Sequence, residues 1–332
     1  MEGGAGGHDD TSPDVGTPEA GGGADQEAAG TSGAGGTSGT SAGAGGTSGA
    51  GGISGMTCPS GMSGSGASAA GAGGVAGSGE GGAAGAPVEG RCLKRVLILG
   101  GQSNRLGPNA DPARVGWMQP LIRYYNHGPM KSGGSLPAVD FGEFRALQPY
   151  DGVKGKHGTE LALGEAMLAA GCDPAIIRLT QGNTSMFDWL PEDSEEFGEL
   201  FQASLTKALG LLPTEFPDCD FAYYLGWNQG EAESGNLGQA NLWAGRFGLF
   251  KGYTEHTILT VTGQTVDLPT VVYQTHIGVG DPVALDALRA AQASVADRVV
   301  NGDDLPVSGL HYPPSAIDTL GAREAEAFIS LF

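Results

Sequence analysis

Apolar positions along the second part of the chain follow two rhythms, and together these lay out a fold. Val96-Leu97-Ile98-Leu99 is a short unbroken apolar run closed by Gly100-Gly101, the pattern of a buried strand that leaves its sheet through a sharp turn. Three further runs read the same way: Ala175-Ile176-Ile177-Arg178-Leu179, Asp220-Phe221-Ala222-Tyr223-Tyr224-Leu225 and Thr270-Val271-Val272-Tyr273-Gln274. Between and after them the spacing turns helical, over 160–170 (closed by Gly171), 194–212 (stopped before Pro213), 237–251, 282–296 and 317–331. Strands alternating with helices of this length require crossover connections and a parallel sheet covered on both faces. The expectation is a three-layer α/β/α sandwich with four or five strands. Residues 105–157 are rich in Gly, Pro, Asn and Asp and read as irregular; a loop region of that length in a compact domain is usually functional or poorly assigned.

Composition divides the chain at about residue 90. Residues 1–90 contain no Lys, no Arg and no aromatic residue, and about half of the 61 glycines. Gly33-Ala34-Gly35-Gly36-Thr37-Ser38-Gly39 recurs as the same seven residue types from Gly43 to Gly49. Such a segment buries too little apolar surface to offset its ordering entropy, so 1–90 is expected to be a disordered tether and 91–332 the globular domain. The net charge is −20; nine acids and no base lie in the tether, which leaves −11 for the domain. An acidic surface argues against nucleic acid and anionic membrane as partners. No run is long and apolar enough to span a bilayer, and no signal peptide follows Met1. The tether composition nevertheless suggests a secreted or surface-anchored protein with an export signal upstream of this start. Cys58, Cys92, Cys172 and Cys219 fit no metal-binding spacing. Buried thiols and disulfides are both open, and if the cysteines pair, the expected bridges are Cys58–Cys92 and Cys172–Cys219.

Four polar turns stand where strands end. Gly100-Gly101-Gln102-Ser103-Asn104 follows the first strand. It lacks the spacing of a phosphate-binding loop and of the G-x-S-x-G elbow, which leaves either a turn satisfied by its own side chains or an exposed nucleophilic serine. Gln181-Gly182-Asn183-Thr184-Ser185 and Trp227-Asn228-Gln229-Gly230-Glu231-Ala232-Glu233 follow two other strands, and His311 lies in a late loop before the last helix. The carboxyl ends of parallel strands share one edge, so these turns can converge on Ser103. A serine needs a base in contact to lose its proton at neutral pH, and histidine suits that role. The Gly182 N–H and the Gln229 amide are donor types used by oxyanion holes.

These blocks, with Gly158-Thr159-Glu160 and Trp189, resemble the sialate O-acetylesterase-type domain, also called carbohydrate esterase family six, of the SGNH hydrolases. The resemblance covers about residues 93–332 and rests chiefly on the GQSN and WxQGE pair in that order. It implies a flavodoxin-like α/β fold and a metal-independent serine esterase without cofactor, acting on acetyl or short acyl esters of carbohydrates or on other small esters. Carried over, Ser103 is the nucleophile and His311 the base. The oxyanion donors are the Ser103 N–H, the Gly182 N–H and the Gln229 side chain; Asn104, Glu160 and Glu231 are supporting residues. The chain departs from the family where Asp is usual three residues before the histidine: Ser308 stands there. Asp303 or Asp304 could then serve as the acid, or the pair could act as a Ser–His dyad. Glu233 and Asn183 are milder departures, in place of the common Asp and second Gly. The alternative is a weak or inactive esterase-like module that binds glycan on a cell-surface tether.

Overall fold

The computed structural model describes residue 58 and residues 91–131, 138–190 and 197–332. The expected tether, Cys58 apart, lies outside the described residues. Seven strands form one sheet: β1 (Cys92–Gly101), β2 (Gln119–His127), β3 (Arg145–Leu147), β4 (Ala175–Thr180), β5 (Cys219–Asn228), β6 (Thr270–Tyr273) and β7 (Arg298–Val300), in the order β3-β2-β4-β1-β5-β6-β7. All neighbours are parallel except β2 and β3. Counted in chain order, β4-β1-β5-β6-β7 is the flavodoxin-like arrangement, with its switch point beside β1. The strand count exceeds the expected four or five. β2 and β3 extend the sheet beyond β4 from within the region read as irregular, and β7 is only three residues long.

The unbroken apolar run of β1 is explained by its central place. Val96 and Ile98 belong to one core with α3 (Phe197–Glu215), α4 (Leu237–Thr262) and α5 (Pro282–Val295); Leu97 and Leu99 belong to the other with α2 (Glu160–Ala169) and α6 (Pro314–Ile329). All four are fully buried, so no solvent face is left to carry polar residues. α3 does not stop before Pro213. The proline falls in its last turn, where it forfeits one N–H bond, and Phe216 N–H still closes on Leu212 O at 2.8 Å. α4 runs eleven residues past the expected end. Its β-branched tail stays helical because Thr254, Thr257, Thr260 and Thr262 each donate a hydroxyl bond to the carbonyl four residues back, until Gly263 ends it at φ 75°.

The cysteines form two disulfides, Cys58–Cys172 and Cys92–Cys219, not the expected pairs. The sheet decides this: β1 and β5 are neighbours, and Cys92 lies opposite Cys219 in register. Cys58 is bound to the chain after α2, where its N–H also meets Ala170 O at 2.9 Å.

A short helix, α1 (Ser103–Leu106), follows β1 and is held by buried charge. Arg105 and Glu324 of α6 form a fully buried two-pronged pair at 2.6 and 2.5 Å; Glu324 also accepts from Thr159 Oγ1 at 3.0 Å and Tyr273 OH at 2.7 Å. Burial opposes the Arg105 charge, but Glu324 outweighs it and the guanidinium stays protonated. Arg178 of β4, also fully buried, donates to the carbonyls of Arg105 (3.2 Å) and Leu106 (2.7 Å), and Glu160 lies 3.3 Å from its Nε.

Two outcomes follow. Replacing Cys92 and Cys219 together by serine releases a loop spanning 127 positions and is expected to cost roughly 2–5 kcal/mol, read by denaturant unfolding. Glu324→Ala strands Arg105 in the core and is expected to cost about 3–5 kcal/mol in the same measurement.

Candidate active site

Ser103 stands at the amino end of α1, directly beyond the carboxyl end of β1. Gly101 makes the exit possible: its φ is 133°, and a Cβ there would lie 2.0 Å from Asn228 O. At the other end of α1, Gly107 (φ 67°) returns its N–H to Ser103 O at 2.8 Å, and a Cβ there would meet His157 O. The serine is half-buried between buried neighbours, Gln102 and Asn104. It opens on a cavity of about 620 Å³ whose wall also includes Leu106, Lys131, Gly182, Asn183, Glu231 and His311. Ser103 and His311, more than two hundred residues apart in sequence, thus share one cavity. No hydrogen bond joins their side chains among the described residues, and such bonds are often long before substrate arrives.

The loop carrying His311 is pinned on both sides. Ser308 N–H donates to His311 O at 2.8 Å and His311 N–H to Ser308 O at 3.2 Å, a narrow turn with Gly309 at φ 62°. Asn104 Nδ2 donates to Leu310 O at 2.9 Å, and Tyr312 N–H donates to Asn104 Oδ1 at 3.2 Å. Asn104 also donates to Glu231 Oε1 at 2.5 Å, while Gln102 Nε2 donates to Glu231 Oε2. Glu231 therefore grips both residues that flank Ser103. Burial pushes its carboxyl up from the ordinary value, and these amides partly offset that.

The oxyanion set divides. Gly182 is on the cavity wall, and neither its N–H nor that of Ser103 has an acceptor among the described residues. Gln229 is elsewhere than expected: it is fully buried, with Nε2 donating to Thr184 O (3.2 Å) and Glu233 Oε2 (2.6 Å) and Oε1 accepting from Trp243 Nε1 (2.8 Å). Its amide is committed to tying the two turns together, with Glu233 also accepting from Met186 N–H. Asn183, beside Gly182, has φ 58°, which explains why glycine is common there and why asparagine is tolerated.

The candidate acids are corrected as well. Asp303 is held by Arg289 at 2.7 and 3.0 Å and by Asn301; burial works against its charge, and these partners outweigh it. Asp304 is forked to Arg323 at 2.7 Å, which holds its carboxyl at about 2. Among the described residues no carboxylate lies within 4 Å of His311. Burial alone pushes the His311 imidazole below its ordinary value. Glu160 faces Arg178 and the Gly158 N–H (3.0 Å), beneath α1 rather than in the cavity. Arg105, Arg178 and Glu324 were not singled out from sequence; the available signal was an arginine inside the apolar run of β4. Among the described residues, the grouping able to hold a metal is Asp111, His157 and Asp318, which is off the cavity wall and already neutralised by Arg114 at 3.1 Å from Asp318.

No family model and no curated protein matches this sequence. Solved structures do. A protein from Arabidopsis thaliana superposes with a TM-score of 0.53 at 17% identity, over 72% of this chain and 99% of its own. The structure of NanS gives 0.52 at 13% identity, over 73% and 96%. A carbohydrate acetylesterase from Xanthomonas citri gives 0.48 at 17% identity, over 70% and 55%. At these identities the likeness is one of fold: a mostly parallel sheet of seven strands with helices on both faces.

Proposed function

We propose that this protein is a serine esterase that removes acetyl or other short acyl groups, with carbohydrate esters as its substrate class. The observation that carries this reading is the shared cavity of Ser103 and His311, with the Gly182 and Ser103 N–H groups beside it. Ser103 Oγ attacks the ester carbonyl carbon while His311 takes the hydroxyl proton. The oxyanion forms against the two backbone N–H groups. Collapse breaks the bond to the alcohol, which leaves with the proton from His311, and the acyl group remains on Ser103. Water then attacks that ester, His311 again moving the proton, and the free acid departs.

The cavity wall supports the substrate class by being mixed. Gln102, Lys131, Gln181 and Asn183 offer polar contacts to a hydroxyl-rich molecule, and Leu106, Pro108, Pro129 and Phe197 offer apolar surface to an acyl group. The two disulfides support export to an oxidising compartment. A second reading, an esterase-like module that binds a glycan and cleaves it slowly or not at all, is favoured by one observation: the absence of a carboxylate beside His311 among the described residues. A carboxylate there would hold the ring tautomer and stabilise the imidazolium.

Hydrolysis of an activated acetate ester is expected to fall at least about 10³-fold in Ser103→Ala. Equal rates in the two proteins would overturn the esterase reading. The rate requires neutral His311. Because burial lowers its proton affinity in the free protein, the acid limb of kcat/KM is expected below pH 6.5, the ordinary histidine value. The other ionisable groups on the wall are Glu231 and Lys131. Ser308→Asp puts a negative charge beside the ring, which raises its proton affinity. The expected result is an acid limb moved to higher pH and a kcat raised about tenfold or more. A Ser308→Asp variant as inactive as its parent supports the binding-module reading.

A further inference from the structure

Among the described residues no carboxylate pairs with His311, yet its backbone is fixed from four directions, and one side chain supplies two of them. Asn104 receives the Tyr312 N–H on Oδ1 and gives one Nδ2 hydrogen to Leu310 O, so it holds the two residues that flank the histidine. The other Nδ2 hydrogen goes to Glu231. A carboxylate can only accept, so Glu231 decides which way the Asn104 amide faces: nitrogen toward itself and Leu310 O, oxygen toward the Tyr312 N–H. The amide is buried, next in sequence to Ser103, and absent from the cavity wall. The remaining two constraints are the Ser308–His311 turn and Asn109 Nδ2, which donates to Tyr312 O at 3.1 Å.

We propose that Asn104 is the positioning residue for His311, setting the histidine's distance from Ser103 through the two flanking residues, where a carboxylate at position 308 would have held the ring itself. This rests on the reading of Ser103 and His311 as the catalytic pair. The residue type is specific. Alanine loses all three bonds. Aspartate keeps the shape but turns an acceptor oxygen toward both Glu231 and Leu310 O, where nothing can donate. The job is also separable from substrate binding, since Asn104 does not reach the cavity. An amide can place the base but adds no charge to stabilise its cation, so Asn104 and a carboxylate at 308 act on the same histidine by different means.

The test compares Asn104→Ala, Asn104→Asp, Asn109→Ala and the double variant Asn104→Ala/Ser308→Asp with the parent chain on an activated acetate ester, together with thermal unfolding. Misplacing a catalytic group by about 1 Å costs on the order of 10²-fold. Asn104→Ala and Asn104→Asp are therefore expected to lose about 10- to 100-fold in kcat with KM within twofold, and Asn109→Ala much less. Adding Ser308→Asp is expected to restore part of the kcat lost in Asn104→Ala. Should Asn104→Ala fail to fold, Asn104→Asp is read in its place. A folded Asn104 variant with kcat within twofold of the parent overturns the proposal, as does one that raises KM and leaves kcat alone. If Ser103→Ala hydrolyses the ester as fast as the parent, the esterase reading has failed, and NMR of the 308–312 amides and the His311 ring decides the positioning by itself. Shifts confined to that loop in Asn104→Asp support it, and an unchanged loop overturns it.

Discussion

A helix of four residues cannot hold itself together, and the candidate nucleophile sits at the start of one. Forming a single helical turn fixes several dihedral angles for one hydrogen bond, so α1 must be stabilised from outside. Two buried guanidinium groups do this. Arg105 reaches down from α1 to Glu324, and Arg178 reaches up from β4 to the last carbonyls of α1, the end where a helix attracts positive charge. Each cation has its own buried carboxylate, Glu324 and Glu160. Because these charges are desolvated, removing one partner leaves the other exposed to the full penalty. Ser103 is held by charge from beneath and opens on the cavity above.

From that fixed point the rest of the site is assembled by hydrogen bonds rather than by ion pairs. Glu231 grips Gln102 and Asn104, Asn104 grips the loop of His311, and Gln229 with Glu233 stitches the turn after β5 to the turn after β4. The two acids expected to serve His311, Asp303 and Asp304, are neutralised by Arg289 and Arg323. The histidine is thus well placed and electrostatically alone. Such a base is neutral over a wide pH range, and its cation, once formed, is poorly stabilised. The binding-module reading grows from that circumstance, and the esterase reading from the cavity that Ser103 and His311 share.

The sequence makes the centre of the fold legible and its margins less so. The central strands were readable because burial on both faces demands uninterrupted apolar runs, as in Val96–Leu99 and Ala175–Leu179. β2 was not, because Pro120, Arg123, Asn126 and His127 dilute its apolar residues at the outer part of the sheet. The end of α4 was missed because threonine-rich sequence favours strands until the hydroxyls find carbonyls of the same helix. Nothing in the cysteine spacing reveals the pairing; the adjacency of β1 and β5 decides one of the two bridges.

The sequence by itself determined the central buried strands and the main helices, and that polar turns follow those strand ends, since both depend on local pattern and on the single edge shared by parallel strands. It also singled out Ser103 and His311 as candidates through the polar blocks in which they stand. Only the tertiary structure decided what each polar side chain does. Gln229 and Asp303 are chemically able to serve the site, and both are instead occupied by partners distant in sequence. Asn104, a plain turn residue in sequence, is the link between the two candidate catalytic loops. A hydrogen-bonding group goes to whichever partner the fold brings within about 3 Å, and that distance is set by the packing of strands and helices far apart along the chain.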